Sequence, residues 1–141
     1  MDAIAASFID KHQDSRLRDD GDVDKALASA PGQPPVLQAE YRVPFLAHAP
    51  MESMNAVAWP RPGRLDIWSG VQSPTAARDQ AAKLAGLQPA QVHVHVMLMG
   101  GSFGRRLETD HVLQAVHLAK AMPGKPVKLT WSREEEMTPD A

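Results

Sequence analysis

"SPTAARDQAAKLAGLQPAQVHVHVMLM", residues 73–99, changes its hydrophobic period halfway along. Ser73 and Pro74 are a good cap and first helical position, and Gly86 is a good left-handed stop, so the spacing predicts a helix over 74–85. The second half alternates instead. Val92, Val94 and Val96 fall on one side, His93 and His95 on the other, and the run closes on Met97, Leu98 and Met99. A strand from Gln91 to Met99 is expected. A helix feeding a strand in so short a span calls for helices layered on a sheet.

The flanking chain extends the pattern in both directions. "MNAVAW" (54–59) and "RLDIWSG" (64–70), separated by "PRPG", read as a hairpin. "ETDHVLQAVHLAKAM" (108–122) is a second helix. Its Val112, Ala115, Val116, Ala119 and Met122 share one arc, with Asp110, Gln114 and His117 opposite and His111 toward the polar side. "KPVKLTWS" (125–132) is a closing strand, and "SREEEM" (132–137) a solvated helix start. "VLQAEYRVPF" (36–45) alternates and reads as a further strand, broken near Pro44. The expected fold class is α+β: a mixed β-sheet with two main helices packed on one face. Residues 1–35 read as a connector or wrapped tail, with one short helix over 3–12 and weak helicity from Asp22, whose carboxylate caps it; "PGQPP" ends that segment.

Composition narrows the function classes. The 141 residues suit one domain, and twelve prolines cut it into short elements. With no cysteine, disulfides, thiolate metal sites and iron–sulfur ligation by this chain are excluded. Fifteen basic and seventeen acidic side chains leave a net charge of −2, which gives no field favouring nucleic acid or a membrane surface. No apolar run approaches the roughly 20 residues of a membrane span, and the N-terminus has no basic start followed by an apolar block.

Three junctions could carry chemistry. "MGGSFGRR" (99–106) joins a strand to a helix: its glycines let a ligand approach the backbone, its amides can cradle an anion, and Arg105 and Arg106 add charge suited to phosphate. A plain connecting loop with surface arginines explains the same residues. The glycine spacing matches neither a P-loop nor the dinucleotide fingerprint. Gln72 precedes the capped helix start at Ser73, placed either to reach a ligand above the strand ends or to meet water. "AHAPMESMN" (47–55) gathers His48, Glu52 and Asn55 in a short loop, as a hydrogen-bond network or as a metal or acid–base site. His93 and His95 have ligand-compatible spacing, but two histidines do not make a zinc site, and a solvated sheet face is the simpler reading.

Together, "YRVPFLAHAPMESMNAVA", "GVQSPTAARDQAAKLAGL" and "GGSFGRRLETDHVLQAV" resemble the molybdenum-binding subunit of the xanthine dehydrogenase/aldehyde oxidase family, in the branch of the isoquinoline 1-oxidoreductase beta subunits. "GDVDKALASA" and "KPVKLTWSREEEM" extend the resemblance over nearly the whole chain. It implies an oxidoreductase that hydroxylates N-heterocycles or oxidises aldehydes with oxygen from water at a molybdopterin centre, in its cytosine dinucleotide form or a simpler one. It implies that Gly100, Gly101, Ser102, Phe103, Gly104 and Arg105 lie at the cofactor, that Gln72 approaches an oxo ligand of the metal, and that this chain supplies no metal ligand. Ser102 stands where a glycine is common in the motif, and Ser53 where a proline is common. The family's late glutamate base falls outside these 141 residues. The chain is therefore expected to be part of a larger subunit, with residues 36–141 a partial molybdopterin-binding subdomain, inactive and cofactor-free by itself. Expected partners are the remainder of that subunit, a small iron–sulfur subunit and a cytochrome c subunit, with self-association of the isolated chain; no nucleic acid partner is expected. A stand-alone anion- or nucleotide-binding module, or an interaction domain without ligand, is the alternative.

Overall fold

The computed structural model describes residues 18, 20–28 and 36–138. The helix expected over 3–12 lies outside the described residues. Two compact units divide the chain, residues 1–44 and 45–141. In the first, α1 (Val23–Leu27) starts at Asp22, whose carboxylate accepts from the Lys25 amide at 2.9 Å. Residues 36–44 form neither helix nor strand.

The second unit is a four-stranded sheet under two helices. β1 (Asn55–Arg61) and β2 (Arg64–Ser69) form the expected hairpin, turning through Pro62 and Gly63, the latter in the left-handed region at φ 67°. α2 (Pro74–Ala85) follows with the bounds its local signals dictate: Pro74 opens it, and Gly86 closes it at φ 72° with its amide turned back to the helix. β3 (Val92–Val96) pairs parallel with β2; α3 (Asp110–Lys120) then crosses to β4 (Val127–Thr130), which pairs antiparallel with β1. The order is β3-β2-β1-β4, a mixed sheet. Short α4 (Arg133–Met137) ends the described chain, capped by the Ser132 hydroxyl, which accepts from the Glu135 amide.

Strand alternation and helix periodicity build one core. Ala56, Ala58, Leu65, Ile67 and Val92 face the helices, which answer with Ala77 and Ala81 from α2 and Val112, Ala115 and Val116 from α3. Alanine on both sides of the interface lets α3 lie close over β1. The core depends on near-perfect exclusion of water rather than on bulky side chains.

Four expectations are corrected. No strand forms over 36–45: alternation supplies a face but not a ladder, and Pro44 has no amide to donate. β3 stops at Val96 rather than Met99, because β2 ends at Ser69; the Met97 amide still donates to the Ser69 carbonyl at 3.1 Å, and the next residue, Leu98, is 97% exposed. Met122 lies beyond the end of α3 and is exposed, while the other four residues of its arc are buried. His111, expected toward the polar side, is fully buried: its Nε2 lies 3.2 Å from the Ser69 hydroxyl, which itself donates to the Asn55 carbonyl at 2.7 Å.

Candidate functional site

The three junctions singled out in the sequence meet at one side chain. Arg106 lies in a 3₁₀ turn (Arg105–Leu107) before α3 and is completely buried. Its Nε–H donates to the Gly101 carbonyl at 3.0 Å, Nη1 to the Gly70 carbonyl at 3.2 Å, and Nη2 to both the carbonyl and the carboxylate Oε2 of Glu52, each at 3.0 Å. One guanidinium thus binds the loop before β1, the end of β2 and the glycine loop after β3. Its own carbonyl accepts from the Gln72 amide at 2.9 Å. A fork of five donors suits a position ringed by carbonyls, and Glu52 supplies the balancing charge.

Glu52 is the second tie. Its Oε2 accepts from the Gly100 amide at 2.7 Å, its Oε1 from the Asn55 side-chain amide at 2.8 Å, and its own amide donates back to the Gly100 carbonyl at 3.1 Å. Partial burial pushes the Glu52 carboxyl upward, but hydrogen bonds from Gly100 and Asn55, together with the Arg106 charge, hold it below the ordinary carboxylate range. Within residues 47–55, Glu52 and Asn55 do form a hydrogen-bond network, and among the described residues no three metal-ligating side chains are grouped together.

Arg105 is also buried. It pairs with Asp110 at 2.7 Å and lies over the Trp131 ring, 5.3 Å from its centroid. Desolvation raises the Asp110 carboxyl, yet hydrogen bonds from His111 and Arg105 and the charge of Arg105 bring it far below its usual value. Both arginines are therefore turned into the protein and are not the surface cations expected of a plain loop.

The outward rim is made of other groups. Gln72 is exposed at the start of α2, and Phe103 is 75% exposed on the glycine loop. Phe103 holds φ 54°, a left-handed backbone that costs an ordinary side chain on the order of 1–3 kcal/mol. Gly101 and Gly104 beside it lie at φ 99° and 105°. Among the described residues, the amides of Gly101, Ser102, Phe103 and Gly104 meet no acceptor, while those of Gly100 and Arg105 do. Gly100 is bare for another reason: a Cβ there would fall 2.6 Å from the Glu52 Cβ.

Two further groupings were not legible beforehand. Asp110, His111 and Ser69 form an acid–imidazole–hydroxyl series, but its imidazole and hydroxyl are buried and the hydroxyl proton goes to Asn55, so it is a structural link between α3 and β2. On the face away from the helices, Asp66 is buried among Arg61, Arg64 and His95, and His95 stacks on Trp68 at 4.7 Å. His95 is thus tied to a carboxylate and an aromatic ring that its sequence spacing from His93 did not reveal.

The molybdopterin cofactor-binding domain profile matches residues 8–141. Isoquinoline 1-oxidoreductase subunit beta of Brevundimonas diminuta is 39% identical over 99 residues, 70% of this chain and 12% of that protein. The membrane-bound aldehyde dehydrogenase (pyrroloquinoline-quinone) of Gluconacetobacter polyoxogenes is 36% identical over 125 residues, 89% of this chain and 16% of that one. Among solved structures, quinoline 2-oxidoreductase of Pseudomonas putida 86 superposes with a TM-score of 0.57 at 28% identity, over 64% of this chain and 12% of its own. The chain thus spans between an eighth and a sixth of the curated relatives just named. A match of this extent, on a chain whose glycine loop, glutamine junction and Glu52 loop converge on one arginine, leaves one conclusion: the chain belongs to the molybdopterin cofactor-binding domain family.

Proposed function

We propose that the chain forms one wall of the molybdopterin site in the large subunit of a molybdenum hydroxylase that oxidises aldehydes or N-heterocycles. Supporting this is the rim itself: an exposed Phe103 in left-handed backbone, its own amide and those of Gly101, Ser102 and Gly104 without an acceptor among the described residues, and an exposed Gln72 tied to the same turn through the Arg106 carbonyl. Strain without an evident packing partner among the described residues is what a bound group would offset. The residues fit such a group as a wall and not as a cage. Gly101, Ser102 and Gly104 would contribute backbone donors, Phe103 an apolar side, and Gln72 a side-chain amide able to hydrogen-bond the bound group. Gly100 serves by admitting Glu52. Arg105 braces the loop from beneath through Asp110. When bound, the molybdenum–pterin supplies the two-electron oxidation and takes its oxygen from water. The cytosine dinucleotide form, a small iron–sulfur subunit and a cytochrome c subunit belong to the same reading, with residues 36–141 as the molybdopterin-binding subdomain. A free-standing anion module is disfavoured, since both loop cations are buried.

Phe103→Ala and Gln72→Ala test the wall. Both side chains are exposed, so folding stability should move by no more than about 0.5 kcal/mol. In the polypeptide that carries this chain, molybdenum and pterin content per subunit should fall in both variants. Full loading in both refutes the assignment. Gly101→Val is the poorer probe: at φ 99°, with Pro50 and Phe103 each 3.3 Å from an added Cβ, it strains the loop regardless of any ligand.

A further inference from the structure

We infer that Arg106, neutralised by Glu52, is a positioning residue that sets the two sides of the rim relative to each other, an inference that rests on the wall reading above. The rim has two separate sources. Gln72 comes from the β2–α2 junction and the acceptor-free amides from the β3–α3 loop. Arg106 is attached to both through opposite ends: its backbone carbonyl holds the Gln72 amide, and its guanidinium holds the Gly101 carbonyl. The remaining nitrogens fasten the same group to Gly70, one residue past β2, and to Glu52, which in turn holds Gly100. Moving either side of the rim therefore moves Arg106, and Arg106 is locked by the other. A lysine has the charge but not the planar fork, so it cannot address Gly101, Gly70 and Glu52 together. The cation is fully buried, and its donors are engaged by Gly101, Gly70 and Glu52 within the chain. That separates it from Phe103 and Gln72, which face outward.

Arg106→Lys and Glu52→Gln in the full 141-residue chain decide the matter, with Arg106→Met as the harsher variant. Amide hydrogen exchange at Gln72 and Gly100 should rise together by about ten- to a hundredfold in Arg106→Lys, and less in Glu52→Gln, which keeps its acceptor oxygen. The amides of Val112–Ala119 in α3 should keep their protection. If Arg106→Met fails to fold, the two milder variants still answer. A uniform rise over all amides makes Arg106 a general stabiliser and overturns the inference, and so does no rise at either junction. In the polypeptide carrying the chain, molybdenum content should then fall in Arg106→Lys. Loosened junctions with full molybdenum, where Phe103→Ala loses it, overturn the positioning role and leave the wall standing. Full molybdenum in Phe103→Ala, Gln72→Ala and Arg106→Lys alike sinks both.

Discussion

The space between the sheet and its helices and the end of the sheet where the junctions meet both bury their central side chains, but by opposite physics. Beneath α2 and α3 the buried set is mostly Ala, Val, Leu and Ile, for which fit is the requirement, with the His111–Ser69 contact as a polar link. At the junction end it is two buried arginines, their carboxylates and a ring of carbonyls. Apolar burial is non-directional and tolerates a shifted neighbour; hydrogen bonds to a guanidinium fix distance and direction together. The core thus decides whether the chain folds, and the junction decides where three loops stop.

The largest expected effect is on the core. Ile67→Ala removes a fully buried side chain from the middle of β2 and should lower global stability by about 2–5 kcal/mol, read from the urea midpoint. A shift well under this would mean that the core closes over the gap and is less tightly fitted than described. The junction counterpart is Gly100→Ala. The added Cβ meets the Glu52 Cβ at 2.6 Å, a rigid collision costing about 1–3 kcal/mol. Gly70→Ala places its Cβ equally near the Met99 Cγ, which can swing away, and 3.2 Å from the Arg106 Nη1, which must give only by a few tenths of an ångström, so the loss should be the smaller of the two. Equal losses would show that the Glu52 tie gives way as easily as the Met99 side chain.

Acid should sharpen the contrast. Glu52 and Asp110 have carboxyls held below their ordinary values, so their contribution is complete above the usual carboxylate range. It is lost as pH falls through the lowered folded values, where the folded state must also take up the protons. The Trp131 indole N–H, bonded to Gln114 beside Arg105, reports on this end: its NMR signal should shift before the methyl signals of Val112 and Val116 lose dispersion. Simultaneous loss would erase the distinction between the two regions. The smallest effect is expected from Thr109→Ala, which cuts the 2.8 Å hydroxyl bond to Gln80 between α3 and α2 and should cost about 0.5–1.5 kcal/mol in thermal unfolding.

What the sequence revealed followed the same division. The bounds of α2 are written in Ser73, Pro74 and Gly86, all within one or two residues of the ends they set. The hairpin and the buried arc of α3 are likewise local patterns. The junction was found by its glycines and by resemblance, but its organising residue was not. The partners of Arg106 are mostly backbone carbonyls, which every residue possesses, at sequence separations of 5, 36 and 54. No spacing rule can single out such acceptors. His111 failed for a related reason: its hydroxyl partner lies 42 residues away, and periodicity ranks a histidine by polarity and not by whom it meets. The alternation at 36–45 misled in the other direction, since it offers a face without saying whether a neighbouring strand is available.

The placement of β4 has a bearing on biosynthesis. β1 lies inside the sheet, yet its second neighbour is the last strand: Asn55 pairs with Thr130 and Ala58 with Val127. While a ribosome makes residues 70–126, the hairpin and both helices can assemble, but one edge of β1 stays open with its amides and carbonyls unclaimed. Such an edge readily recruits strands from other chains. The nascent protein thus passes through a window of vulnerability that closes only when "VKLT", residues 127–130, emerges. A chain released just before Val127 would be a nearly finished domain with an adhesive flank.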